Sequence, residues 1–235
     1  MSYAIATFCY GERYYDQTNR MIESFKKIKD IPKIFVVTDK PESITKEDFV
    51  FVSHIKEYDE KYSTYSTNYY DFDFSVKRFS VKFALDSGFT KIILVDTDVI
   101  PNETLFTEKN ILDCFISNSI SGQVTYLFEE EMERNSMLGE RFNYYESIFK
   151  VKYNKKDMWM PEDCIQFLDI EKEKFYSFLT TWDKCIEIKY SDNLRNTPAG
   201  NIDEMCFSAF HNEIELHNNS NKHINLLIPN HDKWY

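Results

Sequence analysis

Lys91-Ile92-Ile93-Leu94-Val95-Asp96-Thr97-Asp98-Val99-Ile100-Pro101 is the stretch on which the reading of this chain turns. Ile92 to Val95 form an uninterrupted apolar run in which Ile92, Ile93 and Val95 are β-branched. A short run of this kind reads as a strand buried on both faces of a parallel sheet. Two aspartates follow at i and i+2, and in extended backbone such residues project to one side. The expectation is a pair of carboxylates at the carboxyl end of a buried strand, where open α/β sheets bind ligands. Carboxylate oxygens suit hard divalent cations such as Mn2+ or Mg2+. An Asp-x-Asp alone is common in surface turns; the buried strand before it is what makes Asp96, Thr97 and Asp98 a candidate metal site.

Working outward, the stretch is preceded by a helix expected over residues 75–87, with Val76, Phe79 and Phe83 on one side and Gly88 as its stop. This helix carries Lys77, Arg78 and Lys82, a cationic face that could neutralise a diphosphate. Further upstream, Tyr3 to Phe8 reads as a first strand with Cys9-Tyr10-Gly11 as its turn. Tyr14 to Ile28 reads as a helix, with Met21, Ile22, Phe25 and Ile28 at helical spacing. Ile34 to Asp39 and Phe49 to Val52 read as two more strands. Strand, helix, strand, strand is the opening of a nucleotide-binding α/β unit. It lacks G-x-G-x-x-G and the Walker G-x-x-x-x-G-K-[ST], so neither the usual dinucleotide fold nor a P-loop is supported. Tyr58 to Phe74 is a run of aromatics among polar residues, either packed on the surface or covering a cleft and stacking on a sugar or base.

Downstream, a helix is expected over residues 109–116, a strand over 121–128 and the solvated start of a helix at Glu129-Glu130-Glu131. Residues 132–157 show no legible element. Met158 to Asp169 reads as a turn and a strand, Glu171 to about Cys185 as a helix, and Met205 to Phe210 as another. Asp203 and Glu204 stand in the first turn of that last helix, where the dipole favours carboxylates. An apolar strand, Leu226-Leu227-Ile228, then delivers His231 and Lys233 on one side if the backbone stays extended.

Composition bounds the function classes. At 235 residues, 43% hydrophobic and 17% aromatic, the chain can bury a sizeable core, and one α/β domain over residues 1–235 is expected. A net charge of −11 argues against a nucleic-acid surface, which needs a basic patch. It leaves room for an anionic small substrate held by a metal and a few local cations. Cys9, Cys114, Cys164, Cys185 and Cys206 are scattered with no C-x-x-C, which speaks against zinc or a disulfide framework and fits reduced thiols in the cytoplasm. No signal sequence is visible, and no apolar run approaches the ~20 residues of a transmembrane segment.

Together these residues resemble the GT-A glycosyltransferases that use nucleotide-sugar donors, closest in layout to family 8, the glycogenin and lipopolysaccharide galactosyltransferase group. The resemblance implies a Rossmann-like α/β domain with a mostly parallel central sheet flanked by helices. It implies that Asp96 and Asp98 ligate Mn2+ (or Mg2+), with His231 as a third protein ligand and Lys233 on the diphosphate. His231-x-Lys233-Trp234 lacks the glycine and proline that the family places in this segment. The implied donor-contacting residues are Thr7, Phe8, Cys9, Tyr10, Tyr14, Arg78, Asp96, Thr97, Asp98, Asp163 and Lys233. Where the family has Asn-x-Gly, this chain has Glu162-Asp163-Cys164, a departure that bears on the sugar. Where the family has Asp-Gln beside the reacting carbon, it has Asp203-Glu204, the candidate catalytic carboxylates. The implied activity is sugar transfer from a nucleotide-sugar donor, a UDP-sugar by resemblance, with retention. The acceptor, whether glycan, lipid-linked sugar or protein, and the oligomeric state stay open.

Two alternatives remain at this point. A sugar-nucleotide pyrophosphorylase shares the α/β core and a metal-binding aspartate. It opens, however, with a glycine-rich loop containing Arg and Lys, which Thr7-Phe8-Cys9-Tyr10-Gly11 is not. The other is a non-catalytic nucleotide- or glycan-binding module on a degenerate transferase fold.

Overall fold

A computed structural model describes residues 2–59, 76–122, 125–128, 130, 136–155, 159–161, 165–191, 202–218 and 226–229. Its centre is strand β4, Lys91–Val95, the apolar run from which the sequence reading started. Beside β4 lies β1 (Ala4–Cys9), then β2 (Lys33–Thr38) and β3 (Val50–His54), all mutually parallel. On its other side lies β9 (Ile165–Asp169), antiparallel to β4. Next come β6 (Ser119–Gly122), antiparallel to β9, and β10 (Glu215–Asn218), parallel to β6. The order across the sheet is β10-β6-β9-β4-β1-β2-β3, mixed but mostly parallel.

Alternation along the central strands explains why their runs are apolar throughout. Ile93 and Val95 enter a core shared with Ile5, Ile34 and Val36, and with Met21, Ile22 and Phe25 of helix α1 (Glu12–Phe25). Ile92 and Leu94 enter another core with Ala4, Ala6 and Phe35, closed by Val81, Ala84 and Leu85 of helix α2 (Lys77–Asp86). Strands that fill two cores have no solvent face for polar residues to occupy. Gly11, at φ +87°, makes the turn from β1 into α1 in a backbone region that disfavours other residues. Gly88, at φ +96°, ends α2 as expected: its N–H bonds to the Leu85 carbonyl at 2.9 Å while Phe89 N–H bonds to that of Ala84 at 3.1 Å, a Schellman closure.

Helix α3 (Glu108–Leu112) opens on a Thr107 side-chain cap. The stretch expected as one strand over 121–128 divides into the end of β6 and a separate β7 (Thr125–Leu127), which pairs antiparallel with β8 (Trp159–Pro161). Residues 132–157, unread in the sequence, contain helix α4 (Ser136–Phe149), whose Phe142 and Tyr145 are fully buried. Helix α5 (Lys172–Ser191) and helix α6 (Ile202–His211) pack Phe175, Phe178, Trp182 and Phe207 into the same core. Of the negative run at 129–131, Glu130 is helical and exposed.

The element that matters most for the site is small. Strand β5 (Val99–Pro101) follows the two aspartates directly and pairs antiparallel with β11 (Leu227–Pro229). The register sets Leu227 against Pro101, Ile228 against Ile100 and Pro229 against Val99. Asn102 N–H extends the ribbon with a 2.9 Å bond to the Leu226 carbonyl.

Candidate metal and donor site

The carboxyl ends of β1, β2 and β4, at Cys9, Thr38 and Val95, lie along one edge of the sheet. Asp96, Thr97 and Asp98 form the link from β4 to β5. The link is a turn closed by Val99 N–H on the Asp96 carbonyl, not the extended backbone expected from the sequence. Asp96 and Asp98 therefore do not share one face of a strand. A different contact gives a similar separation. Thr97 is buried, and its hydroxyl donates to Oε1 of Gln17, also buried, on α1 at 2.8 Å. With Thr97 drawn inward, Asp96 and Asp98 are left partly exposed on either side of it.

Asp96 is paired with the ammonium of Lys77, the first residue of α2. Its side chain is 30% exposed and that of Lys77 11%. Arg78, the expected donor contact, is turned elsewhere: its Nε binds the carboxylate of Asp183 on α5, and its guanidinium lies 4.2 Å from the Phe79 ring centre. Among the donor-contacting candidates of β1, Thr7 and Cys9 are fully buried, and Phe8 packs with Val37, Ile55, Val76 and Phe79. Burial, opposed by hydrogen bonds from Thr18 and Thr38, pushes the Cys9 thiol up to about 12, so it stays protonated at neutral pH. Tyr10 and Tyr14 are partly exposed and are the members of that set open to a ligand. Beside them Tyr15 donates to Asp39 at 2.8 Å; burial first, then that carboxylate, raises its phenol.

The two candidate catalytic carboxylates part company. Glu204 has no exposed surface and sits in the helical core. Its Oε1 accepts from Tyr145 Oη at 3.0 Å and pairs with Lys189 Nζ at 3.1 Å. A carboxylate so enclosed ties α4, α5 and α6 together. Asp203 is the second residue of α6, and its side chain lies outside the described residues, as do Asp163, His231, Lys233 and the aromatic run from residue 60 onward. Lys77 belonged to the expected cationic face but not as the partner of Asp96, and Gln17 is a residue of the site that the sequence did not single out. The only signal for Gln17 was a polar residue one helical turn before the buried Met21.

Among the described residues no group of three or more His, Cys, Asp or Glu side chains is placed to hold a metal. Two carboxylates on one turn still fit Mg2+ or Mn2+, which are often held by one or two carboxylates together with a substrate's phosphates. That Asp96 already carries an ammonium shows the spot accepts a cation. Among the described residues no helix is long and apolar enough to cross a membrane.

No protein-family model and no curated protein matches the chain. Solved structures do. The galactosyltransferase LgtC in complex with donor and acceptor sugar analogues superposes with a TM-score of 0.55, at 9% identity, over 92% of this chain and 72% of that one. An active-site mutant of LgtC gives 0.54 over the same shares. At that identity the likeness is one of fold alone: this chain has a GT-A-like α/β architecture similar to that of the galactosyltransferase.

Proposed function

We propose that this protein is a metal-dependent glycosyltransferase that moves a sugar from a nucleotide-sugar donor, a UDP-sugar, to an acceptor hydroxyl with retention. One observation carries the reading. The β5–β11 register pairs Pro229 with Val99, the residue after Asp98, and His231 follows Pro229 by two positions in sequence. The ribbon thus brings the chain, as far as Pro229, beside the turn that bears Asp96 and Asp98.

In this reading Asp96, Asp98 and His231 hold the metal. The metal neutralises charge on the departing nucleoside diphosphate. Lys233 holds the diphosphate from the other side. Tyr10, just past β1, and Tyr14, in the first turn of α1, both partly exposed, take the nucleoside. Asp203 serves the oxocarbenium-like carbon, because Glu204 is committed to Lys189. Arg78, whose Nε is held by the half-exposed Asp183, offers its remaining guanidinium N–H groups to the donor.

The test is thermal stabilisation by a panel of nucleotides and nucleotide sugars, each with and without Mn2+. A ligand that binds the folded state raises its midpoint by mass action. A metal-dependent rise with UDP or a UDP-sugar is the expected result. A rise with nucleoside triphosphate plus sugar phosphate would point to a pyrophosphorylase, and no rise with any ligand would favour a non-catalytic module.

A further inference from the structure

Lys77 is oddly placed for a lysine. It opens α2, where the helix dipole disfavours a cation, and the first turn of that helix contains no acidic residue. It is also buried, whereas lysine is among the residues least often found inside without a partner. Its partner is Asp96. The far side of the Asp96 turn is pinned, because Thr97 is bonded to Gln17 in the interior. Asp96 therefore has little freedom to swing away from the lysine towards an incoming ion.

We propose that Lys77 is the resident cation of the Asp96 carboxylate, and that a divalent metal enters this site by displacing it. The inference rests on reading Asp96 and Asp98 as metal ligands, and it adds a competition that the two aspartates alone would not show. The ammonium neutralises Asp96 beside Asp98 while no metal is bound, and it repels a second cation arriving at the same oxygens. Once displaced, it remains at the end of α2 as a positive group next to the metal.

Titration calorimetry of Mn2+ into the full chain, without nucleotide, tests this. Lys77→Met keeps the length of the side chain and removes its charge; Lys77→Arg keeps the charge. Mn2+ should bind Lys77→Met about tenfold more tightly than the unmodified protein, since an opposing charge at a few ångströms has been removed. Lys77→Arg should stay near the unmodified affinity. Equal or weaker Mn2+ binding by Lys77→Met, with the unmodified protein binding Mn2+, would overturn the competition and leave the metal site standing. If neither protein binds Mn2+, alone or with UDP, the metal reading falls and the competition with it. Circular dichroism of both variants shows that the comparison is between folded proteins.

Discussion

At the end of β4, Lys77 and Asp96 form an ion pair whose carboxylate keeps 30% of its side-chain surface in contact with solvent. Between α5 and α6, Lys189 and Glu204 form the same chemical pair with 7% and 0% exposed. The two differ in what water can do. When Lys77 leaves Asp96, solvent or a metal ion can take its place, so the pair is exchangeable. When Lys189 leaves Glu204, no solvent reaches the carboxylate, and a charge stays stranded in the helical core beside Tyr145. Burial therefore separates a pair that can exchange with solvent from one that cannot, although each contains a residue that the sequence marks as functional.

The largest test of that contrast is Lys189→Ala. Stranding Glu204 should cost about 3–5 kcal/mol, read as a lower urea midpoint. Lys189→Met combined with Glu204→Leu should recover most of it, because a buried pair exchanged for apolar side chains is often neutral. A double variant as unstable as the single one would mean that the charges are not what matters there. Asp98→Ala should behave in the opposite way. Metal-dependent nucleotide binding should fall by about a hundredfold or more, while the unfolding free energy moves by no more than about 0.5 kcal/mol. A large stability loss would place the rim with the core and erase the contrast.

Gln17→Leu falls between the two. It leaves the Thr97 hydroxyl buried without its acceptor, at a cost of about 1–2 kcal/mol. It should also weaken Mn2+ binding, because the turn loses its anchor. Unchanged Mn2+ affinity would show that the turn keeps its shape unaided. The smallest effect belongs to His211, at the edge of the helical core, where it stacks on Phe207 and meets Tyr153 Oη at 3.1 Å. Burial first, then Lys184, lowers its pKa below 6.5. The unfolded chain thus takes up the proton before the folded one does. Stability from this residue is complete above pH 6.5 and declines as pH falls through the folded value. NMR titration of its ring protons should show a midpoint below 6.5; a midpoint at or above that value would contradict the packing.

The elements legible in the sequence are those whose pattern is dictated by burial on two faces or along one stripe. Ile92–Val95 and Ile34–Val37 read as strands because both faces feed a core, and Met21, Ile22 and Phe25 read as a helix because one side does. Helix α4 was hidden because the inward-facing Phe142 and Tyr145 stand beside the more exposed Tyr144 and Ile148, which blurs the period. Strand β10, Glu-Leu-His-Asn, has one apolar residue and lies at the edge of the sheet. At the site, the sequence located the strand and the aspartates but not which neighbour serves them. Lys77 and Arg78 are adjacent on a helix, about 100° apart around its axis. Only tertiary packing decides that the first meets Asp96 and the second Asp183. The same angle separates Asp203 from Glu204 and sends the latter into the core.

The β5–β11 ribbon has a consequence for how the molecule is made. Its strands are adjacent in space, yet the ribosome adds more than a hundred residues between Pro101 and Leu227. A nascent chain that already carries β1 to β4 has its aspartate turn long before it has the strand that flanks it, and long-range pairings of this kind form late. The aspartate turn is thus synthesised well before the strand that flanks it, and the interval between the two is set by translation.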